Sequence, residues 1–177
     1  IVIPVYNEEV LLELLHRTLS DILTPLNLNW RAYYVDDGSR DRSLETLQRL
    51  QTEDPAHITI VQLSRNWGHQ PAITAGLAVV DADAVVVMDA DMQDPPTLIP
   101  RLIAEWQHGA MVVEAVRLSR AEGGLRGLLF RRFYGIFNWL TDNQFAMNSG
   151  VFSLMDRTIV EHLRDMPERN RYLPGMR

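Results

Sequence analysis

The sequence predicts an α/β domain with a central, mostly parallel sheet flanked by helices. Short apolar runs rich in β-branched and aromatic residues alternate with amphipathic stretches, and turn residues stand at the ends of the runs. The resulting order of strand, helix, strand, helix is the pattern of parallel strands joined by right-handed crossovers. Strands are expected near 1–5, 31–35, 58–63, 84–88 and 111–116, and helices near 8–23, 41–52, 70–80 and 97–107. In the first helix Val10, Leu11, Leu14, Leu15, Leu19 and Ile22 repeat at helical spacing. The second opens with Ser39 or Asp41 as its N-cap. The fourth follows Pro95-Pro96, which suits a helix start and stops the preceding strand from running on. Residues 117–127 read as the longest loop, with Gly123-Gly124 as its flexible point.

The 177 residues suit one domain spanning 1–177. A hydrophobic share of 46% with 23% charged residues is enough to bury a core. All 17 basic side chains are arginines, and the chain has neither lysine nor cysteine. That excludes a Schiff-base or pyridoxal lysine, a phosphate-loop lysine, a thiolate nucleophile and cysteine-ligated zinc or iron–sulfur centres. A metal must therefore be held by oxygen or imidazole, and a phosphate by arginine, backbone or metal. A net charge of −6 argues against nucleic acid as a partner, because that binding needs a basic face. The chain starts without Met inside an apolar run and stops abruptly at Met176-Arg177, so it reads as a segment of a longer protein. No signal peptide and no stretch of 18 apolar residues occurs in it, so this segment holds no spanning helix.

Polar clusters follow the expected strands: Tyr6-Asn7-Glu8, Asp36-Asp37-Gly38-Ser39, Ser64-Arg65-Asn66, and Asp89-Ala90-Asp91-Met92-Gln93. In an open parallel sheet the C-terminal ends of the strands share one edge, where ligands bind. Asp89 and Asp91 can aim two carboxylates at one point and hold Mg²⁺ or Mn²⁺ alongside substrate phosphates; the plain alternative is an Asp-rich turn capping the helix near Thr97. Asp36 or Asp37 can accept hydrogen bonds from a ribose hydroxyl or a base N–H, although Asp, Gly and Ser are also ordinary turn and cap residues, Ser39 among them. Arg65 can meet a phosphate, or be a solvated arginine beside a packing Trp67. His69 can likewise meet a ligand or be an ordinary loop residue, and five scattered histidines without H-x-x-x-H spacing argue against zinc. Residues 125–140, with Arg126, Arg131 and Arg132 among aromatic and leucine residues, fit a membrane-surface helix or a core helix.

Ile3 to Glu9 (IPVYNEE), Val35 to Asp41 (VDDGSRD), Leu63 to His69 (LSRNWGH) and Met88 to Pro96 (MDADMQDPP) occur in that order. Together they resemble the family 2 glycosyltransferases of the GT-A, Rossmann-like fold. Within these the chain is most similar to the polyprenyl-phosphate branch that includes dolichyl-phosphate mannose synthase and bactoprenol glucosyltransferases. The resemblance implies that Pro4, Tyr6, Glu8 and Asp37, with Asp36 and Arg65, hold the nucleotide of a sugar donor. It assigns the divalent ion, Mg²⁺ or Mn²⁺, to Asp89, Asp91 and Gln93. The acceptor phosphate falls to Arg117, Arg131 and Arg132. It further implies inversion at C1, a UDP-sugar (or GDP-mannose) donor, a polyprenyl-phosphate acceptor, and work at the cytoplasmic face of a bacterial inner membrane. Spanning helices after residue 177 would follow, and a homo-oligomer is allowed.

One motif departs from the family. Where many relatives carry aspartates in an Asp-Thr-Gly-Asp-Phe pattern, this chain has Asn148 and Val151. Neither accepts a proton at neutral pH. A phosphate acceptor is already largely dianionic, with a second pKa of about 6, so attack needs no strong base. Otherwise Asp142 substitutes, or the chain has become a nucleotide-sugar or lipid-phosphate binding module. A receiver-like signalling domain is the remaining alternative, disfavoured by the missing lysine.

Overall fold

Buried parallel strands need apolar side chains on both faces, and the short runs supply them. The computed structural model describes residues 1–116, 149–168 and 173–176. All five expected strands form: β1 (Val2–Val5), β2 (Ala32–Asp36), β3 (Ile58–Gln62), β4 (Ala84–Val87) and β5 (Val112–Val116). A sixth, β6 (Ser149–Asp156), was not anticipated. The sheet order is β3-β2-β1-β4-β6-β5. β1 runs parallel to β2 and β4, and β2 to β3, whereas β6 lies antiparallel to both β4 and β5. The sheet is therefore mostly parallel, with one reversed strand inside it.

Among the described residues the longer helices are α1 (Leu12–Leu23), α2 (Ser43–Glu53), α3 (His69–Val79), α4 (Ile99–Gln107) and α5 (Arg157–Asp165), and a four-residue helix lies at Leu173–Met176. α1 starts four residues later than its periodicity suggested. Asn7 adopts a left-handed φ of 58°, and the Leu11 N–H closes a turn on the Glu8 carbonyl. Val10 and Leu14 are consequently exposed, and the buried stripe is Leu12, Leu15, His16, Leu19 and Leu23. The cap of α2 also differs from expectation. Arg42 occupies the N-cap position without a side-chain bond, while Asp41 Oδ1 accepts the Ser43 N–H at 2.9 Å. The Ser39 hydroxyl accepts the Asn7 N–H instead, at 3.0 Å. After Pro95, a 3₁₀ turn at Pro96–Leu98 leads into α4 as the proline pair suggests.

Alternate strand residues feed two apolar layers. On one face Ile3, Tyr34, Val86, Phe152 and Leu154 pack against α1, α2 and α4 through Leu15, Leu19, Leu47 and Ile99. On the other, Val2, Val35, Val85, Val87 and Met155 meet Ala72, Ile73 and Leu77 of α3 and Val160 and Leu163 of α5. Each fully buried aliphatic side chain contributes about 1.5–3 kcal/mol relative to leaving it in water. α3 lies so close to the sheet that a Cβ on Gly76 would stand 2.5 Å from Val2 Cγ1. That proximity matters because α3 carries the chain back from β3, across β2 and β1, to β4. The two half-sheets diverge at the β1/β4 boundary, and a crevice opens past the C-terminal ends of these strands.

Candidate active site

That crevice is a cavity of about 300 Å³. Pro4, Val5, Tyr6 and Glu8 reach it from the end of β1, and Asp37 from the end of β2. Asn66, Gly68, His69 and Ala72 come from the loop after β3 and the start of α3, and Asp89, Ala90 and Asp91 from the end of β4. Four polar clusters separated in sequence thus share one edge.

The loops are tied to one another by side chains accepting backbone N–H groups. Glu8 N–H donates to Ser43 Oγ at 2.8 Å, and Arg40 N–H to Asn7 Oδ1 at 2.8 Å. Asp36 is buried outside the cavity lining, and its Oδ1 accepts the Ser39 N–H at 3.2 Å. Asp37, also buried, accepts the Trp67 N–H at 2.7 Å on Oδ1 and the Gly68 N–H at 2.8 Å on Oδ2. It fastens the loop after β3 to the end of β2. Gly38 permits that approach: at φ +66° it faces the 65–66 backbone, where a Cβ would meet the Arg65 carbonyl carbon at 2.5 Å. Arg65 does not line the cavity; its guanidinium lies 3.9 Å from the centroid of the exposed Trp67 ring.

Asp89 and Asp91 cap no helix, since neither Pro96–Leu98 nor α4 has a side-chain cap, although Asp91 does close a local turn. Asp91 Oδ1 accepts the Gln93 N–H at 3.0 Å, with Met92 between them at φ 59°. Gln93 itself is exposed and outside the lining. His69 Nε2 lies 2.6 Å from Asp89 Oδ1. This bond, which outweighs burial, holds the imidazole pKa above the usual histidine range. Burial raises the Glu8 carboxyl pKa, and the like charges of Asp91, Asp41 and Asp89 raise it further.

Glu8, Asp37, Asp89 and Asp91 line the cavity without an arginine among the described lining residues. Mutual repulsion, felt at Glu8, is what a divalent cation would relieve, and hard carboxylate oxygens suit Mg²⁺ or Mn²⁺. Among the described residues no three His, Asp or Glu side chains converge to hold a metal alone. The donor set therefore fits an ion held by Asp89 and Asp91 that completes its shell with ligand oxygens and water.

Arg117, Arg131, Arg132, Asp142 and Asn148 lie outside the described residues, as do 117–127 and 125–140. Val116 pairs with Ser149 in the sheet, so the 117–148 segment leaves and rejoins it at one place, on the cavity edge. Val151 packs against the α3 face of the sheet. The residue that sequence reasoning passed over is His69, whose partner Asp89 lies 20 residues away.

The family model described as "Glycosyl transferase family 2" matches residues 1–164, and the chain belongs to that family. Over 177 residues it is 34% identical to the prophage bactoprenol glucosyl transferase homolog of Escherichia coli K12, covering 99% of this chain and 58% of that protein. It is 35% identical over 179 residues to the undecaprenyl-phosphate 4-deoxy-4-formamido-L-arabinose transferase of Salmonella choleraesuis, covering 98% and 53%. The fold matches glucosyl-3-phosphoglycerate synthase of Mycobacterium tuberculosis, solved with Mn²⁺, UDP and phosphoglyceric acid. The TM-score is 0.63 at 18% identity, over 89% of this chain and 55% of that one. The fold is thus the GT-A type, and a receiver-like domain is excluded. The chain spans little more than half the length of these curated relatives.

Proposed function

We propose that this chain carries the catalytic domain of an inverting glycosyltransferase. It would move a sugar from a nucleotide sugar, UDP-linked in preference to GDP-mannose, to a polyprenyl phosphate at the cytoplasmic face of a bacterial inner membrane. The observation that carries the reading is the acidic cavity at the β1/β4 boundary, with Asp89 and Asp91 on its wall. An anionic diphosphate enters so acidic a cavity only with a cation, and Mg²⁺ or Mn²⁺ when bound supplies Lewis-acid neutralisation of the leaving diphosphate.

Pro4, Tyr6, Glu8 and Asp37 lie on the strand ends facing that wall, where the nucleoside would be held. Asp36 and Arg65 stand behind this lining, as supports of the loops. The acceptor phosphate oxygen bonds to C1 as the C1–O bond to the diphosphate breaks, and the nucleoside diphosphate leaves with that electron pair. The phosphate brings its own negative charge, so Asn148 and Val151 in place of acids do not stop attack. Arg117 follows directly on β5, and with Arg131 and Arg132 it supplies forks suited to a lipid phosphate. No helix among the described residues is long and apolar enough to cross a membrane. Contact with the membrane surface is assigned to residues 125–140 on their composition, aromatic and leucine residues among Arg126, Arg131 and Arg132.

The test is a sugar-transfer assay of the full-length protein with labelled UDP- and GDP-sugars, undecaprenyl phosphate and Mn²⁺ or Mg²⁺. Metal-dependent transfer is expected. Metal-dependent binding without transfer would instead favour the binding-module reading. Nucleotide binding indifferent to metal and to D89A plus D91A would sink the proposal.

A further inference from the structure

His69 stands where two sets of contacts meet. Asp37 takes the Trp67 and Gly68 N–H groups on its two oxygens, fixing the backbone immediately before α3. Gly68 adopts φ +100°, a conformation that L side chains rarely take, and α3 begins at the next residue. His69 is thereby delivered to the cavity wall with its Nε2 at 2.6 Å from Asp89 Oδ1. The Gln70 side-chain amide lies 3.4 Å from the other ring nitrogen, Nδ1. An ionised carboxylate only accepts, so the Nε2 proton points at Asp89 whether the ring carries one proton or two. One oxygen of Asp89 is thus occupied as an acceptor, and the other remains for a cation.

Resting on the metal reading above, we propose that His69 is a positioning residue: its Nε2–H orients Asp89 so that one carboxylate oxygen is presented to the divalent ion. The link runs from Asp37 through Trp67 and Gly68 to His69 and Asp89. It joins the nucleoside side of the cavity to the metal side through one short backbone segment with a hydrogen-bonded side chain at each end. Outer groups that orient a metal ligand typically change affinity or activity by about 10- to 100-fold when removed.

The experiment measures Mn²⁺ affinity of the full-length protein by the loss of the free-ion electron paramagnetic resonance signal, without nucleotide or acceptor. His69→Ala is expected to weaken Mn²⁺ binding by about tenfold or more. His69→Gln, whose amide N–H can stand in for Nε2–H, is expected to recover most of the loss. Unchanged or tighter Mn²⁺ binding by H69A overturns the inference, and so does an equal loss in both variants. If the unaltered protein binds no Mn²⁺ either alone or with UDP present, the metal reading falls and takes the role of His69 with it. If it binds Mn²⁺ through Asp89 and Asp91 but ignores H69A, only the role of His69 falls.

Discussion

At the base of the sheet His16 Nε2 lies 3.2 Å from Asp54 Oδ2; at the opposite edge His69 Nε2 lies 2.6 Å from Asp89 Oδ1. The two pairs are chemically the same and behave oppositely. His16 is 7% exposed, and burial lowers its pKa despite the pull of Asp54. Its neutral ring donates from Nε2 to Asp54 and accepts at Nδ1 from the Tyr34 hydroxyl, 3.3 Å away. Tyr34 is fully buried, and burial pushes its phenol pKa up, so it remains a donor. His57 adds a 2.8 Å contact to Asp54 and stacks on Trp30 at 4.3 Å. The His69 side chain is 42% exposed and that of Asp89 34%, open to water and ligand. The carboxylates are similarly exposed, so the histidines make the difference: burial makes His16 part of the core, whereas exposure leaves His69 free to serve a site.

The sharpest way to separate the two pairs is to remove the carboxylates at the cavity. D89A plus D91A should cut sugar transfer by about 100- to 1000-fold. Its urea-denaturation midpoint should stay unchanged or rise, because repulsion around Glu8 is relieved. Next in size, H16A should cost about 2–4 kcal/mol of folding stability, from a cavity and a buried Tyr34 hydroxyl left without its acceptor, with Mn²⁺ affinity unaffected. The same variant should flatten the response to acid. His16 has a depressed folded pKa, so below the unfolded value of about 6.5 the unfolded chain takes up the proton first. Stability therefore falls as pH drops through that window. Asp54 adds a second loss lower down. Burial opposes the effect, but bonds to His57 and His16 hold its pKa below the usual carboxylate value, and that stabilisation disappears as the folded pKa is crossed. Denaturation midpoints at several pH values from 8 down to about 2 read both. Y34F, the mildest change, should cost about 0.5–1.5 kcal/mol by leaving His16 Nδ1 without its donor.

Much of this architecture is legible in the sequence, because buried parallel strands announce themselves as short β-branched runs. Val85-Val86-Val87 after Asp83-Ala84 and before Met88-Asp89 is unambiguous, and β1 to β5 fall within a residue or two of expectation. β6 escaped because Gly150 and Ser153 dilute its apolar pattern. Its place between β4 and β5 is also a long-range pairing with no local signal. α5 could have been found: Asp156 accepts the Thr158 N–H as an N-cap, and Val160 and Leu163 follow at helical spacing. For the site, placing clusters at strand ends shows which residues share an edge. It does not show which oxygens are already engaged. Two adjacent acids at 36–37 suggest free carboxylates, yet both accept backbone N–H groups. Nor does spacing reveal that His69 reaches Asp89, since that depends on how α3 crosses the sheet.

The pairing of Val116 with Ser149 works like a hinge pin for whatever chain lies between them. A segment whose two ends are clamped side by side can lengthen or shorten at small entropic cost, about 0.6 kcal/mol for each doubling. Under the proposed function, exchange of the arginine-bearing 117–148 segment as a unit would retune the acceptor while the cavity at the β1/β4 boundary stays as it is.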